Sequence, residues 1–213
     1  MGILETAIKL YKEYNPNKPI KNPKAKPLRP ADKNNYGIRW FKKTRFKDIL
    51  SLVAIDRQGI LTKKMLPRHD SKLKYFRDVL NSSENHSKYM FYVFALTDLN
   101  NEIIGWVQYF PDENTGKLRK LIRLEKKAKV FEVAYAKLFS QNLKGVAVNG
   151  LKNTMDIIRK IDNNDSYDLY ITGYTESKNI ASEYVLNSNR FTKLDSQIIY
   201  EGELNNVWVK KIN

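Results

Sequence analysis

The feature that most constrains the fold is a strand, a short loop and a helix that follow one another around the stretch Glu132–Ala147. The run Val130–Phe139 is rich in β-branched and aromatic residues and predicts a β-strand. A polar loop with one glycine, Gly145, follows. Apolar residues then take a helical spacing, at Ala147, Leu151, Met155 and Ile158. The free amides and positive dipole end of such a helix favour phosphate binding, but loops of this shape are also common as plain turns.

Composition sets the scale of the protein. The chain has 213 residues, of which 42% are apolar, enough for one hydrophobic core. It has no cysteine, which excludes thiol catalysis, thiolate metal sites and disulfides and is typical of a reducing compartment. Residues 1–14 lack the apolar run of a signal peptide, and no stretch has the apolar length that spans a bilayer. We therefore expect a cytoplasmic protein without a membrane partner.

The net charge is strongly positive. A formal charge of +15 favours acidic partners, meaning nucleic acid, anionic membrane or phosphate-bearing small molecules. Residues 1–35 begin with a short helical spacing and continue into five prolines alternating with lysine and asparagine. This composition predicts a basic, extended N-terminal tail outside the folded domain. Such a tail either tethers and solubilises the domain or contacts nucleic acid or another acidic partner, and the first reading is the commoner one.

The remaining residues, 36–213, have the pattern of one domain. Alternating runs and apolar stripes predict elements in the order β, α, α, β, β, β, α, β, α, β, β. A turn-forming D-L-N-N sequence predicts that the second and third strands form an antiparallel hairpin. This order favours one mixed α/β sheet rather than a repeat or a doubly wound parallel sheet.

An insertion at residues 111–129 precedes the strand of the glycine loop. Its second half contains seven basic residues and one acidic residue. Its leucines follow helical spacing, although a twisted hairpin also suits the sequence. The segment is either a solvated insertion or a lid or electrostatic guide for an acidic acceptor.

The two histidines do not predict a metal site. His69 and His86 have no second histidine or carboxylate at ligand spacing. We interpret both as surface residues and expect no metal.

Three motifs together resemble a known family. Glu132–Tyr135, E-V-A-Y, is similar to E-x-G-Y with an aliphatic second residue. Asn142–Ala147, N-L-K-G-V-A, is similar to R-G-K-G-x-A. Asn179–Phe191 is similar to N-x-x-S-x-x-V-L-x-K-x-G-F. With the order of elements, these motifs resemble the GNAT (Gcn5-related N-acetyltransferase) superfamily, and within it the branch of the ribosomal-protein N-terminal acetyltransferases.

The resemblance implies a mostly antiparallel mixed sheet with flanking helices, in which two central parallel strands splay apart and acetyl-coenzyme A lies in the gap. The pantetheine arm would pair with the backbone near Leu138 and Phe139. Asn179 would order the cofactor arm, or else it simply caps the next helix. The pyrophosphate would be held at the glycine loop and helix start, for which the candidate residues are Asn142, Lys144, Gly145, Val146 and Ala147.

The resemblance also implies direct transfer of an acetyl group to a primary amine. Glu132 is the candidate base that takes the amine proton, and the alternative is an ordinary acid at a strand edge. A backbone N–H near Leu138 would donate a hydrogen bond to the oxyanion. Many GNAT enzymes place a tyrosine, as proton donor to the leaving thiolate, where this chain has Leu186. Ser182, Tyr184 or solvent would then take that role.

Three residues depart from the family pattern. Asn142 replaces an arginine or glutamine at the start of the loop, Leu143 replaces the first glycine of the loop, and Arg190 replaces the glycine before the final phenylalanine. A left-handed backbone is needed near that last position, and we expect Asn189 to adopt it because asparagine tolerates that conformation better than arginine.

Two functions stay open on this sequence. The first is an acetyl-coenzyme A-dependent N-acetyltransferase that acts on an amine of a protein or a small molecule. The second is a GNAT-shaped binding or structural protein without turnover, which uses the tail and the insertion to hold nucleic acid or a protein assembly. The motif residues retained together favour the enzyme. The sequence does not indicate the acceptor or the oligomeric state.

Overall fold

The computed structural model describes residues 2–33, 36–57, 72–89, 91–137, 144–162, 166–200 and 202–213. These residues form six helices and seven strands. The helices are α1 (Ile3–Tyr14), α2 (Phe46–Arg57), α3 (Lys72–Tyr89), α4 (Thr115–Leu121), α5 (Val146–Ile161) and α6 (Ile180–Ser188). The strands are β1 (Gly37–Trp40), β2 (Tyr92–Thr97), β3 (Ile103–Pro111), β4 (Lys129–Lys137), β5 (Leu169–Glu176), β6 (Thr192–Tyr200) and β7 (Glu203–Lys211).

The strands form one sheet in the order β1-β2-β3-β4-β5-β7-β6. Of the described neighbours, β4 and β5 pair in parallel and every other pair is antiparallel. The predicted fold class, a mixed and mostly antiparallel sheet with a central parallel pair and flanking helices, is confirmed. The predicted order of elements is also confirmed, with α4 as an additional helix between β3 and β4. For the insertion, the sequence left open a helix or a twisted hairpin, and the structure has a helix at Thr115–Leu121.

The predicted β2–β3 hairpin closes through its own side chains. The carboxylate of Asp98 accepts hydrogen bonds from the amides of Asn100 and Glu102, both at 2.9 Å. Asn101 takes a left-handed backbone with φ of 62°. Asparagine and aspartate favour such turns because their short side chains satisfy nearby amides.

The sheet has two covered faces, which we call the α5 face and the α4 face. On the α5 face, α5 and α6 pack against the strands in one cluster. The predicted stripe of Leu151, Met155 and Ile158 is fully buried there, and burial of each such side chain stabilises the fold by roughly 1.5–3 kcal/mol. On the α4 face lie two clusters: one contains α1, α2 and α3 with β2 and β3, and the other contains Leu118 of α4 with β4, β6 and β7.

Helix α1 shares the core of the domain. Its Ala7, Leu10 and Tyr11 are buried in the same cluster as the apolar residues of α2 and α3. The chain after α1 lies against the domain without forming a helix, and Arg29 makes an isolated antiparallel bridge to Ile38 of β1. The predicted division into a tail, 1–35, and a domain, 36–213, stays a prediction, but residues 3–14 do not extend away from the core.

Candidate active site

Strands β4 and β5 separate partway along their length. Their parallel pairing ends where Glu132 lies opposite Thr172. Beyond this point β4 follows β3 as far as Lys137, and β5 follows β7 as far as Glu176. The splayed strand pair implied by the resemblance is therefore present, and it leaves a gap in the middle of the sheet.

A cavity of about 200 Å³ lies in this gap. Its walls come from both faces of the sheet. Val133 and Leu186 belong to the cluster on the α5 face, whereas Tyr200 belongs to a cluster on the α4 face. The cavity thus passes between the strands and connects the two faces.

Glu132 lies where the strands diverge, with 5% of its surface exposed. Its neighbours on β4, Phe131 and Val133, pack on the α5 face, so strand alternation directs Glu132 to the α4 face. There the hydroxyl of Tyr200 donates a hydrogen bond to Oε2 of Glu132 at 3.1 Å. The site therefore contains a buried carboxylate in the cavity wall with a specific donor.

A second buried carboxylate, Asp112, lies just after β3. It accepts hydrogen bonds from the hydroxyl of Tyr174 at 2.6 Å, from the amide of Asn114 at 2.7 Å, and from the hydroxyl of Thr172. Burial raises the pKa of Asp112, and these three donors oppose that effect because they stabilise the charged form.

Two tyrosines connect the carboxylates. The rings of Tyr174 and Tyr200 are stacked, with centroids 4.9 Å apart and planes 20° apart. Burial raises the pKa of Tyr174, and the nearby carboxylates of Asp112 and Glu132 raise it further. The hydroxyl of Tyr174 therefore stays protonated near neutral pH and can act as a donor.

The start of α5 lies on the other face. Gly145 precedes the helix with φ of 75°, in the left-handed region. A Cβ at this position would have room, since the nearest atom is Nδ2 of Asn149 at 3.6 Å, so the backbone conformation is what favours glycine. No side chain of the described residues caps this helix, which leaves its first amides for a ligand.

A groove of about 830 Å³ lies at this helix start. Its walls are the first turn of α5, the first turns of α6, and two lysines, Lys137 and Lys144. Positive side chains beside a helix N-terminus favour an anionic ligand. Tyr184 and Val185 of α6 line this groove, whereas Ser182 and Leu186 of the same helix line the cavity.

At the start of α6, the side chain of Asn179 accepts a hydrogen bond from the amide of Ser182 at 3.2 Å. Asn179 is thus the helix cap, and it also lines the cavity together with Ser182. The hydroxyl of Tyr135 reaches across from β4 and donates to the carbonyl of Ser182 at 3.1 Å. Burial raises the pKa of Tyr135 to about 12.

The structure separates the residues suggested by the sequence into two places. Glu132, Asn179 and Ser182 line the cavity. Tyr184 is 67% exposed and lines the groove instead, away from Glu132. Residues 144–147 line the groove as well. Three further candidates, Leu138, Phe139 and Asn142, lie outside the described residues, as does Leu143.

The expectation for the end of α6 is wrong. Arg190 itself takes the left-handed conformation, with φ of 59°, while Asn189 has φ of −92°. The amide side chain of Asn189 donates to the carbonyls of Val185 and Val148, at 2.9 and 3.1 Å. These bonds hold Asn189 in the helical turn, so the reversal of the chain falls on the next residue.

Sequence reasoning missed Asp112, Tyr174 and Tyr200. Tyr174 and Tyr200 lie in segments predicted as strands, where aromatic residues usually signal packing. Asp112 follows a proline at the end of β3 and resembles an ordinary turn residue. The one sequence signal for this cluster is strand alternation, which puts Thr172 and Tyr174 on the same face of β5.

The described residues contain no group of three or more His, Cys, Asp or Glu placed to hold a metal ion. None of the helices in the described ranges is long and apolar enough to cross a membrane.

Comparison with known proteins supports the fold. No protein-family model matches the chain, and no curated protein matches its sequence. Among solved structures, the ribosomal L7/L12 alpha-N-protein acetyltransferase RimL is similar with a TM-score of 0.59 and 14% identity, covering 91% of this chain and 99% of that one. The ribosomal-protein-S5-alanine acetyltransferase from Vibrio fischeri is similar with a TM-score of 0.57 and 18% identity, covering 86% and 96%. AAC(6')-Ib in complex with ribostamycin and coenzyme A is similar with a TM-score of 0.53 and 12% identity, covering 83% and 93%.

Proposed function

We propose that this chain, which has the fold of the GNAT acetyltransferases, is an acetyl-coenzyme A-dependent N-acetyltransferase that transfers an acetyl group directly to a primary amine of a protein or small molecule. The observation that carries the proposal is the cavity between β4 and β5. It connects the α5 face, where a basic groove lies at a helix start, with the α4 face, where Glu132 lies. A direct transfer needs such a passage, because two reactants must meet in a fixed geometry.

Acetyl-coenzyme A would supply the acetyl group as a thioester, which is an activated acyl donor. The groove has features that suit its phosphates: the first amides of α5, at Val146 and Ala147, and the side chains of Lys137 and Lys144. The left-handed Gly145 gives the loop its approach to the helix. Contacts from Leu138, Phe139 and Asn142 are further parts of this proposal.

Glu132 would accept the proton of the acceptor amine, directly or through a water, since only a neutral amine attacks a carbonyl carbon. Ser182 lines the cavity on the opposite face and would donate to the departing sulfur. Tyr184 would form part of the groove wall rather than act as proton donor, because it is exposed there and does not line the cavity.

The acceptor would approach from the α4 face. Along β4, Val130 packs in the cluster with α4 and Ala134 packs against the cluster of α1–α3, so Glu132 lies at the boundary between the two. The exposed Lys117 and Lys120 of α4 would favour an acidic acceptor or partner. Two of the similar structures are acetyltransferases named for ribosomal proteins and the third holds ribostamycin, so proteins and small molecules are both tested as acceptors.

The test is calorimetric titration with acetyl-coenzyme A, beside coenzyme A and a plain polyphosphate as controls for unspecific attraction to a chain of charge +15. We expect saturable one-to-one binding that prefers the whole cofactor and persists in moderate salt. An acceptor screen with acidic and basic peptides and small amines then tests turnover.

Binding that polyphosphate matches, and that moderate salt abolishes, would contradict the enzyme. The protein would then be a GNAT-shaped binding protein, and residues 1–35 and the insertion would be the regions to examine for nucleic acid or another acidic partner.

A further inference from the structure

We infer that Tyr200 is a positioning residue for Glu132: its hydroxyl fixes one carboxylate oxygen, so that the other is directed at the acceptor amine in the cavity. The inference rests on the proposed function, in which Glu132 takes the amine proton. It adds a residue from the β6–β7 hairpin, a part of the chain that none of the recognised motifs includes.

The ring of Tyr200 is held in place by packing against several elements of the fold. Only 8% of Tyr200 is exposed, and its ring is stacked on Tyr174 at 4.9 Å. The same cluster contains Leu118, Val130 and Val207, from α4, β4 and β7. A side chain fixed by four elements has little rotational freedom left, so its 3.1 Å bond to Glu132 costs little additional entropy.

The two stacked tyrosines serve different carboxylates. Tyr174 donates to Asp112 at 2.6 Å, and Tyr200 donates to Glu132 at 3.1 Å. Asp112 also receives the hydroxyl of Thr172 and the amide of Asn114. The described side chains therefore give Asp112 a set of donors of its own, while the hydroxyl of Tyr200 is directed to Glu132.

The hydrogen bond from Tyr200 affects the charge of Glu132. Among the described residues, Tyr200 from β6 donates to Glu132, Tyr174 from β5 lies close enough to interact with its charge, and Tyr135 and Glu176 line the same cavity. Burial disfavours the charged form of a carboxyl group, whereas a hydrogen bond donated to the carboxylate favours it. Removal of the Tyr200 hydroxyl should therefore raise the pKa of Glu132 and leave its orientation less defined.

The variant Tyr200→Phe keeps the stacked ring and removes the hydroxyl. We expect the pKa of Glu132 to rise by about one pH unit, measured by NMR on ¹³C-carboxyl glutamate with Glu132→Gln to assign the signal. The acidic limb of the kcat/KM profile should move upward by the same amount, while acetyl-coenzyme A affinity stays unchanged. Tyr170→Phe is the matched control, because Tyr170 lies on β5 in the same cluster and its hydroxyl is directed at Asp168, 3.5 Å away.

Equal Glu132 pKa values in the wild type and in Tyr200→Phe would overturn the inference, and this readout needs no turnover. If the pKa moves but the wild type neither binds acetyl-coenzyme A nor transfers acetyl groups, the proposed function fails and the catalytic meaning of Tyr200 fails with it. Should Tyr200→Phe not fold, 3-fluorotyrosine at position 200 provides a second test. Its more acidic hydroxyl is a stronger donor and should lower the pKa of Glu132, and no change there would likewise overturn the inference.

Discussion

The two faces of the sheet build their halves of the site in different ways. On the α5 face, the proposed phosphate site consists of the left-handed Gly145 and the first backbone amides of α5. On the α4 face, four separate segments each supply one side chain, namely Glu132, Asp112, Tyr174 and Tyr200. A site made of backbone depends on local conformation, which sequence patterns encode, whereas a cluster of side chains depends on which strands become neighbours.

The largest expected effect tests the side-chain half. Glu132→Gln keeps the size of the side chain but cannot take a proton, so we expect kcat to fall about 10²- to 10⁴-fold while acetyl-coenzyme A affinity stays unchanged. Steady-state kinetics with a competent acceptor, together with calorimetry, measure the two quantities. Glu203→Gln, an exposed residue of the same charge on β7, is the control and should retain full activity. A kcat for Glu132→Gln equal to that of the wild type would remove Glu132 from the proposed chemistry.

The next effect tests the backbone half. Gly145→Glu places a carboxylate at the helix start that the cofactor phosphates would occupy, so we expect acetyl-coenzyme A affinity to fall about 100-fold. Gly202→Glu is the matched control, because Gly202 also has a positive φ, of 82°, and lies in the β6–β7 turn with open space around it. The two variants should share the same backbone strain and differ in cofactor affinity. Equal affinities in calorimetry would show that α5 does not hold the phosphates.

The same contrast explains what the sequence could predict. The fold could be predicted from the strand runs and from the helical stripe Leu151, Met155 and Ile158. The spacing of apolar residues along a chain indicates which side of each element is buried, and these three residues are buried. The partner of Glu132 was beyond such reasoning, since Tyr200 comes to Glu132 through the sheet order β4-β5-β7-β6. Likewise, Tyr184 and Ser182 are two residues apart in sequence and project from different sides of α6. Ser182 therefore lines the cavity, whereas Tyr184 lines the groove.

A smaller effect concerns the pH dependence of stability on the α4 face. Burial raises the pKa of Asp112 above its ordinary 3.8, so the folded protein holds this proton more tightly than the unfolded chain. Asp112 then lowers stability as the pH rises from about 4 through its folded pKa. Asp112→Asn removes one of the two acceptor oxygens, so at pH 4 it should lower the free energy of unfolding by about 2–3 kcal/mol. It also removes the titrating group, so the loss at pH 7 should be smaller.

Urea denaturation at the two pH values measures that difference. Asp195→Asn, an exposed position on β6, should cost little at either pH. A larger cost of Asp112→Asn at pH 7 than at pH 4 would mean that the donors around Asp112 outweigh its burial. The pKa of Asp112 in the folded protein would then lie below its ordinary value.

The smallest expected effect concerns the end of α6, where the sequence predicted the wrong residue for the left-handed conformation. Arg190 has φ of 59°, which costs a residue with a side chain about 1 kcal/mol relative to glycine. Arg190→Gly should therefore stabilise the protein by about 1 kcal/mol and raise Tm by about 2–4 °C. Asn189→Gly should have the opposite sign, because it loses the two hydrogen bonds from Asn189 to Val148 and Val185. If thermal unfolding gave the reverse order, the left-handed residue at the end of α6 would be Asn189, as the sequence pattern first predicts.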